Sequence, residues 1–218
     1  MTTIRVLLAD DHNIIRDGLK TLIEKEAGIE VIAEAENGRE AVRLAHELRP
    51  NVVIMDVTTP DMNGIDATRK IMEETPGVRV IALSMHSDQR YVLSMLEAGA
   101  SGYLLKSCDF EELATAIRNV AEGYMYLSPR IAEVVVKGYL GKGPGPFQAL
   151  GCVLTPRERE ILQLLAEGMA TKEIAVHLNM AVKTVETHRR NTMVKLNMRS
   201  IAELTKYAVR EGLVSIEG

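Results

Sequence analysis

The chain has 218 residues, of which 46% are hydrophobic and 26% are charged, so its composition excludes a disordered or low-complexity protein. This length exceeds that of a typical single domain, and we expect two domains. The net charge of −4 is unevenly distributed, because residues 152–218 hold 10 Lys and Arg against 8 Asp and Glu while the preceding part is acidic. The charge distribution therefore indicates the C-terminal part as the place where nucleic acid would be contacted.

The N-terminal segment does not have the pattern of a signal peptide, because Arg5, Asp10 and Asp11 interrupt its first apolar run. No apolar run approaches membrane-spanning length, so we expect a cytoplasmic protein without a membrane partner. Cys108 and Cys152 form neither a CxxC pair nor a metal-binding spacing, and reduced thiols are expected.

The first half of the chain alternates short apolar runs with longer amphipathic stretches. Strands that are apolar on both faces and alternate with helices indicate a parallel sheet covered on both sides, here a five-stranded α/β doubly wound domain. In such a sheet the functional site lies at the carboxyl ends of the strands. The predicted strands are Ile4 to Leu8, Val31 to Ala33, Val52 to Met55, Val80 to Leu83 and Tyr103 to Leu105.

The region after the fifth strand is predicted to be helical. Helices are expected from Phe110 to Glu122 and from Ser128 to Leu140, with Ser128 as N-cap and Pro129 at the first helical position. The GKGPGP run within residues 141–151 predicts an interdomain linker. The expected divisions are residues 1–127 for the first domain, 128–152 for a linker helix and Gly/Pro-rich linker, and 153–218 for the second domain.

The second domain is predicted to be all-α, formed by a run of short helices. Thr155, Pro156 and Glu158 form a capping box with proline in the first turn. Gly168 is expected to end the first helix and Thr171 to begin the second. The short apolar stripes and the turn at residues 179–181 predict a helix-turn-helix arrangement, in which the helix after the turn enters the major groove of DNA.

Polar groups follow the predicted strands of the first domain, where they converge in one cleft. A lone Asp after a strand is usually a turn residue or a helix N-cap, and Asp11 could be one. Three carboxylates together, however, repel one another unless a cation neutralises them. The set comprises Asp10, Asp11, Asp56, Ser84 and Lys106.

These residue types suit phosphoryl transfer. Asp10, Asp11 and Asp56 supply the hard oxygen ligands that Mg²⁺ prefers, and Asp56 is the candidate covalent nucleophile. Ser84 and Lys106 would stabilise charge on the transferring group. The added negative charge could pull Ser84 toward the site while Tyr103 swings inward, although Tyr103 could equally be an ordinary strand aromatic.

The first roughly 125 residues resemble a CheY-like receiver domain in the stretches LLADDH, VIMDVTTPDMNG, VIALSMH and GASGYLLKS. The resemblance implies that a sensor histidine kinase supplies the phosphoryl group to Asp56. It also implies that Thr58 and His86 tune dephosphorylation; His86 could orient a hydrolytic water or be a solvated loop residue.

Two positions depart from the usual receiver pattern. Thr59 stands where an apolar residue is usual, with an unknown effect on the loop beside Asp56. Ser107 replaces a common proline, which puts a cis peptide in doubt.

The helix after the predicted turn presents a polar face. Glu186, Thr187 and Arg190 are the candidates for reading base edges. A purely solvated helix could show the same charges, but the helix-turn-helix context favours DNA contact. Arg189 lies near the core stripe and could be half buried. The residues expected to contact phosphates are Lys172, Lys183, Thr184, His188, Arg189, Asn191 and Lys195.

Residues 153–218 resemble the four-helix LuxR-type domain of NarL/FixJ response regulators in LTPRERE, the Gly168 turn, KEIA and KTVETH. The resemblance implies binding to double-stranded promoter DNA as a homodimer through the last helix, with RNA polymerase considered as a further partner. The apolar residues of that helix could instead serve an intradomain core.

The hypothesis is a switchable transcription factor in which the unphosphorylated receiver hides the recognition helix. Phosphorylation of Asp56 would shift the population toward an open, dimerising form. Two alternatives stay open: a phosphohydrolase that uses Asp56 and Mg²⁺, and a DNA-binding protein with a vestigial receiver.

Overall fold

The structure, a computed structural model, describes residues 3–140 and 154–214, and the chain divides into two compact units, residues 1–144 and 145–218. The predicted linker at residues 141–151 lies outside the described residues. The boundaries at 127 and 152 stay predictions. Within the described ranges, no helix combines the length and the apolar character needed to cross a membrane.

The first unit is a parallel sheet with helices on both faces, as predicted. Its strands lie in the order β2-β1-β3-β4-β5-β6. The strands are β1 (Ile4–Ala9), β2 (Ile29–Ala35), β3 (Val52–Asp56), β4 (Arg79–Ser84), β5 (Gly102–Leu105) and β6 (Tyr126–Leu127). The helices are α1 (Asn13–Ile23), α2 (Gly38–Leu48), α3 (Gly64–Glu74), α4 (Gln89–Glu97), α5 (Phe110–Ala121) and α6 (Pro129–Leu140).

Among the described residues the sheet has six strands, whereas five were predicted. The additional strand β6 pairs in parallel with β5, with hydrogen bonds that include those from Tyr126 N to the Ser101 carbonyl (3.0 Å) and from Ser128 N to the Tyr103 carbonyl (3.2 Å). Two residues are too few to show a period in the sequence.

Alternate residues of the central strands enter two separate cores. Val53 and Met55 of β3 pack beneath α2, α3 and α4, whereas Val52 and Ile54 pack on the face covered by α1 and α5. Every residue of β3 is buried. This double burial explains why the strands read as continuous apolar runs.

Helix α6 belongs to the packing of the first unit. Ile131 is fully buried in the core, and α6 contacts α4. The helix begins at Pro129 as predicted, and Ser128 precedes it at the N-cap position, but the buried Ser128 hydroxyl has no hydrogen-bond partner and therefore makes no side-chain cap. The Ser128 carbonyl still accepts from Ala132 N, so the backbone alone starts the helix.

Residues 154–214, the described part of the second unit, form four helices, as predicted: α7 (Pro156–Ala166), α8 (Thr171–His177), α9 (Val182–Lys195) and α10 (Ile201–Arg210). The Thr155 and Glu158 capping box is present, since each side chain accepts from the backbone N–H of the other. Gly168, at φ 93°, follows α7. One core joins α7, α8 and α9, and a second joins α7 and α10. Short helices such as α8 depend on this packing.

Candidate functional site

Three side chains from three strand ends meet at the carboxyl edge of the sheet. The Lys106 ammonium, after β5, lies 2.8 Å from Asp56 Oδ2 and 2.7 Å from Asp10 Oδ2. All three side chains are at most 5% exposed. The cleft predicted from strand order is therefore an ionic cluster shielded from water, where charges interact strongly.

Asp11 and His12 complete the cluster at its exposed side. Ligand atoms of Asp10, Asp11, His12 and Asp56 all lie within 4.8 Å of one another. The His12 Nδ1 atom is 3.1 Å from a carboxylate oxygen of Asp10 and of Asp11. The alternative role of Asp11 as the N-cap of α1 is not observed, because His12 occupies that position.

The charge of this cluster fits a divalent cation. Its three carboxylates face one ammonium, which leaves an excess of negative charge in a largely buried place. Mg²⁺ is held by one or two carboxylates together with water and phosphate oxygens. The carboxylates of this cluster can serve as those protein ligands.

Burial raises the pKa of Asp56 above its ordinary value, and the Lys106 ammonium only partly opposes this shift. Burial also acts to lower the pKa of Lys106, but the carboxylates of Asp56 and Asp10 outweigh it and raise that pKa. Lys106 is thus held as a cation beside the candidate nucleophile, where it can stabilise developing negative charge.

Ser84, Tyr103 and His86 are joined by hydrogen bonds next to the cluster. Ser84 is fully buried, and its hydroxyl accepts from His86 N at 3.0 Å. Tyr103 is also fully buried, and its hydroxyl donates to the His86 carbonyl at 2.8 Å. Tyr103 therefore points inward and holds the loop after β4, so it is more than an ordinary strand aromatic.

The two residues implied to tune dephosphorylation lie in different surroundings. Thr58 N donates to Asp56 Oδ1 at 3.3 Å, which places Thr58 beside the candidate nucleophile. The His86 ring stacks on Tyr91, with ring centroids 4.6 Å apart and an interplanar angle of 11°. His86 is thus a half-buried, oriented residue and not simply a solvated one. The stacking partner Tyr91 was not predicted.

The unusual Thr59 has a structural explanation. It is buried, and its hydroxyl donates to the Met62 carbonyl at 2.8 Å, which ties the loop after β3 to itself. A Cβ on Gly64 would lie 1.9 Å from the Asp56 carbonyl oxygen, so only glycine permits this close return of the loop. No cis peptide occurs in the described parts of the chain, which include the bond after Lys106.

The candidate DNA-contacting residues lie mainly on the open face of α9. Val185 and Thr192 of α9 are buried, while all three predicted base-reading residues, Glu186, Thr187 and Arg190, are exposed. Among the predicted phosphate contacts, His188 is half-buried and the following are exposed: Lys172, Lys183, Thr184, Asn191 and Lys195.

Some of these side chains have partners within the unit. The Lys195 ammonium lies 2.6 Å from Glu158 Oε2, so it stabilises the start of α7 in addition to any role at DNA. The Thr187 hydroxyl donates to the Lys183 carbonyl at 2.8 Å. Arg189 is half-buried and donates to Thr171 Oγ1 at 3.3 Å, which makes it a link between α8 and α9.

Two family models match the two units. Residues 6–118 match the response regulator receiver domain, and residues 152–208 match the bacterial regulatory proteins of the luxR family. Together the models cover most of the sheet, the acidic cluster and the helix-turn-helix.

Relatives match both units in one chain. The transcriptional regulatory protein LiaR of Bacillus subtilis is 41% identical over 214 residues, which cover 97% of this chain and 100% of LiaR. RcsB of Salmonella enterica serovar Typhimurium, solved bound to promoter P1flhDC with the phosphomimetic BeF3-, is 25% identical with a TM-score of 0.60, over 94% of this chain and 98% of the RcsB chain. A structure of two RcsB dimers on two parallel DNAs has the same identity, coverage and TM-score. The chain therefore belongs to the LuxR family of two-component response regulators, DNA-binding proteins that regulate transcription.

Proposed function

We propose that Asp56 accepts a phosphoryl group from a sensor histidine kinase, and that this modification controls sequence-specific promoter binding through α9. The observation that carries the proposal is the position of Lys106, whose ammonium lies within 2.8 Å of both Asp10 and Asp56 in a buried pocket. A carboxylate held beside a fixed cation can attack a phosphoryl group whose charge that cation then stabilises.

In the transfer step, a carboxylate oxygen of Asp56 bonds to phosphorus while the bond from phosphorus to the kinase histidine nitrogen breaks. The histidine keeps the electron pair of that bond, and the product is an acyl phosphate. Asp10, Asp11 and Asp56 would hold Mg²⁺, which neutralises phosphate oxygens when bound. Lys106 and Ser84 would donate to the same oxygens. The chain thus catalyses only its own phosphorylation and dephosphorylation.

The phosphoryl signal would leave the pocket through Ser84 and Tyr103. A new dianion beside Ser84 attracts its hydroxyl, which now accepts from His86 N. Movement of Ser84 would disturb the same loop that Tyr103 holds through the His86 carbonyl. That loop leads into α4, which begins at Gln89, contacts β5 and packs against α6.

DNA binding by a homodimer is proposed from the exposed face of α9 and from the RcsB structures, which are described as dimers bound to DNA. Leu204, Ala208 and Leu213 are buried within the unit, so these apolar residues serve the intradomain core. Ile201, at the start of α10, is 48% exposed, and we propose it as an apolar contact with a second copy of the chain. A cytoplasmic location is proposed with this function, and RNA polymerase stays a predicted partner.

The test of this function is incubation of the full chain with acetyl phosphate and Mg²⁺, followed by mass spectrometry of the peptide that contains Asp56. We expect one added phosphoryl group on Asp56 and none on Asp109, an exposed N-cap of α5. A chain that never gains a phosphoryl group would contradict the proposal. Multiple turnover on small phosphoesters would favour the phosphohydrolase instead.

Replacing His86 with Leu is expected to lengthen the phosphoryl half-life on Asp56. The imidazole is held by its stack on Tyr91, and the backbone of His86 is bonded to Ser84 and Tyr103 beside the site, so we propose that the ring orients the hydrolytic water. Loss of a group that takes part in proton transfer to or from the water typically slows a reaction by about 100-fold or more. The decay of labelled protein measures the effect, and an unchanged decay rate would exclude this role.

A further inference from the structure

Arg16 of α1 has a buried guanidinium that contacts the backbone of Asp10, a member of the acidic cluster. Its side chain is 8% exposed. Nη1 donates to the Asp10 carbonyl at 2.6 Å, and Nη2 donates to Asn13 Oδ1 at 2.8 Å. Nη2 also lies 3.2 Å from Glu36 Oε1, and Nε lies 3.5 Å from Glu34 Oε2.

These partners come from three neighbouring segments. Asp10 follows β1, Asn13 begins α1, and the two glutamates lie at the end of β2 and just after it. A buried guanidinium is costly unless its charge is balanced and its donors find acceptors. Glu34 and Glu36 balance the charge here, and Nη1 and Nη2 donate hydrogen bonds, whereas Nε makes the ion pair with Glu34 but no hydrogen bond. Arg16 is therefore fixed in place, and so is the carbonyl to which it donates.

The Asp10 carboxylate is held by groups other than Arg16. Lys106 lies 2.7 Å from Asp10 Oδ2, and the backbone N–H of His12 donates to Asp10 Oδ1 at 2.9 Å. An aspartate has a single methylene group between backbone and carboxylate, so the position of its backbone sets where its oxygens can reach. Arg16 fixes that backbone through its hydrogen bond to the Asp10 carbonyl.

We infer that Arg16 is a positioning residue that sets the geometry of Asp10, and thereby the affinity of the acidic pocket for its divalent cation. This inference deepens the proposed function and depends on it for its biological meaning. Groups that orient metal ligands without touching the metal typically change metal affinity by 10- to 100-fold when they are removed.

A simpler role would be to join α1 to β2. Lys20, one turn later on α1, provides a control for that role, because its ammonium lies 2.7 Å from Glu34 Oε1. Lys20 shares the glutamate partner of Arg16, yet among its described contacts none reaches Asp10. Lys20→Met therefore removes a link between α1 and β2 and leaves the pocket intact.

The experiment measures Mn²⁺ binding to the full-length chain by electron paramagnetic resonance of free Mn²⁺, a probe that requires no phosphoryl transfer. Arg16→Met is expected to weaken Mn²⁺ binding by about 10- to 100-fold. Lys20→Met is expected to bind Mn²⁺ as wild type does. Thermal unfolding in EDTA shows separately how much each change destabilises the fold.

A second variant covers the case in which Arg16→Met fails to fold. Asn13 is exposed and accepts one hydrogen bond from Arg16, so Asn13→Ala keeps the guanidinium but loosens it. A weakening of about twofold to tenfold, the worth of one hydrogen bond, is expected. Wild-type binding by Asn13→Ala and by any folded Arg16→Met would overturn the inference, as would equal weakening by Lys20→Met.

Phosphoryl transfer to wild type and Mn²⁺ binding by the variants distinguish a failure of the proposed function from a failure of the role of Arg16. If wild type binds Mn²⁺ but never accepts a phosphoryl group, the proposed function is wrong while Arg16 still sets cation affinity. If wild type is phosphorylated and the Arg16 and Asn13 variants bind Mn²⁺ normally, only the role of Arg16 is wrong.

Discussion

Replacing Asp56 with Asn is expected to abolish the response of DNA binding to a phosphodonor. The amide has nearly the size of the carboxylate, but it is not a nucleophile toward phosphorus and carries no charge for Lys106, 2.8 Å away. Coupling free energies between two sites usually change affinity by about 5- to 150-fold. Wild type should show a gain in operator affinity of this order with acetyl phosphate, and Asp56→Asn should show none.

The measurement is a gel-shift titration of operator DNA with and without acetyl phosphate. Asp109→Asn is the matched control, because it makes the same chemical change at the N-cap of α5, where Asn and Asp cap equally well. The control should respond as wild type does. An Asp56→Asn protein that still gains affinity with the phosphodonor would refute the switch, and a wild type without any response would favour a vestigial receiver.

The sheet and its functional edge could be predicted from the sequence because both depend on local patterns. Runs such as Val52 to Met55 are apolar at every position, as a strand covered on both faces requires. Parallel strands then bring their carboxyl ends together, so Asp10, Asp56 and Lys106 meet although they are far apart in the chain.

Side-chain partners could not be predicted in this way. Periodicity shows which face of a helix is buried, but not which groups pair across elements. Lys195 lies on the polar side of α9, and only the packing of α9 against α7 brings it to Glu158. The stack of His86 on Tyr91 likewise depends on how the loop after β4 turns into α4.

The missed strand and the missed cap share a different cause. Strand β6 exists because the edge of β5 offers free backbone groups to residues 126–128, and no local preference of those residues requires it. Ser128 is drawn into this pairing through its backbone N–H. Its hydroxyl becomes buried and makes no cap, so tertiary context overrides the local signal.

Replacing Arg190 with Ala is expected to weaken binding to the operator by about 10- to 100-fold, while binding to random DNA changes much less. Arg190 is exposed on α9, on the face opposite the buried Val185 and Thr192. A guanidinium that pairs bidentately with guanine contributes about 1–3 kcal/mol of discrimination between bases. A phosphate contact at the same position would weaken binding to all sequences alike.

Lys183→Ala provides the contrast that decides between these two kinds of contact. Lys183 lies in the first turn of α9 and is exposed, so its loss should weaken operator and random DNA equally and reduce the salt slope of log K by about 0.9. Lys137→Ala, which removes one exposed cation from α6, controls for net charge. Titrations at several salt concentrations on selected operator and on random duplexes measure both effects. If Arg190→Ala behaves as Lys183→Ala does, Arg190 contacts the backbone of the DNA, and base reading must come from Glu186, Thr187 or DNA shape.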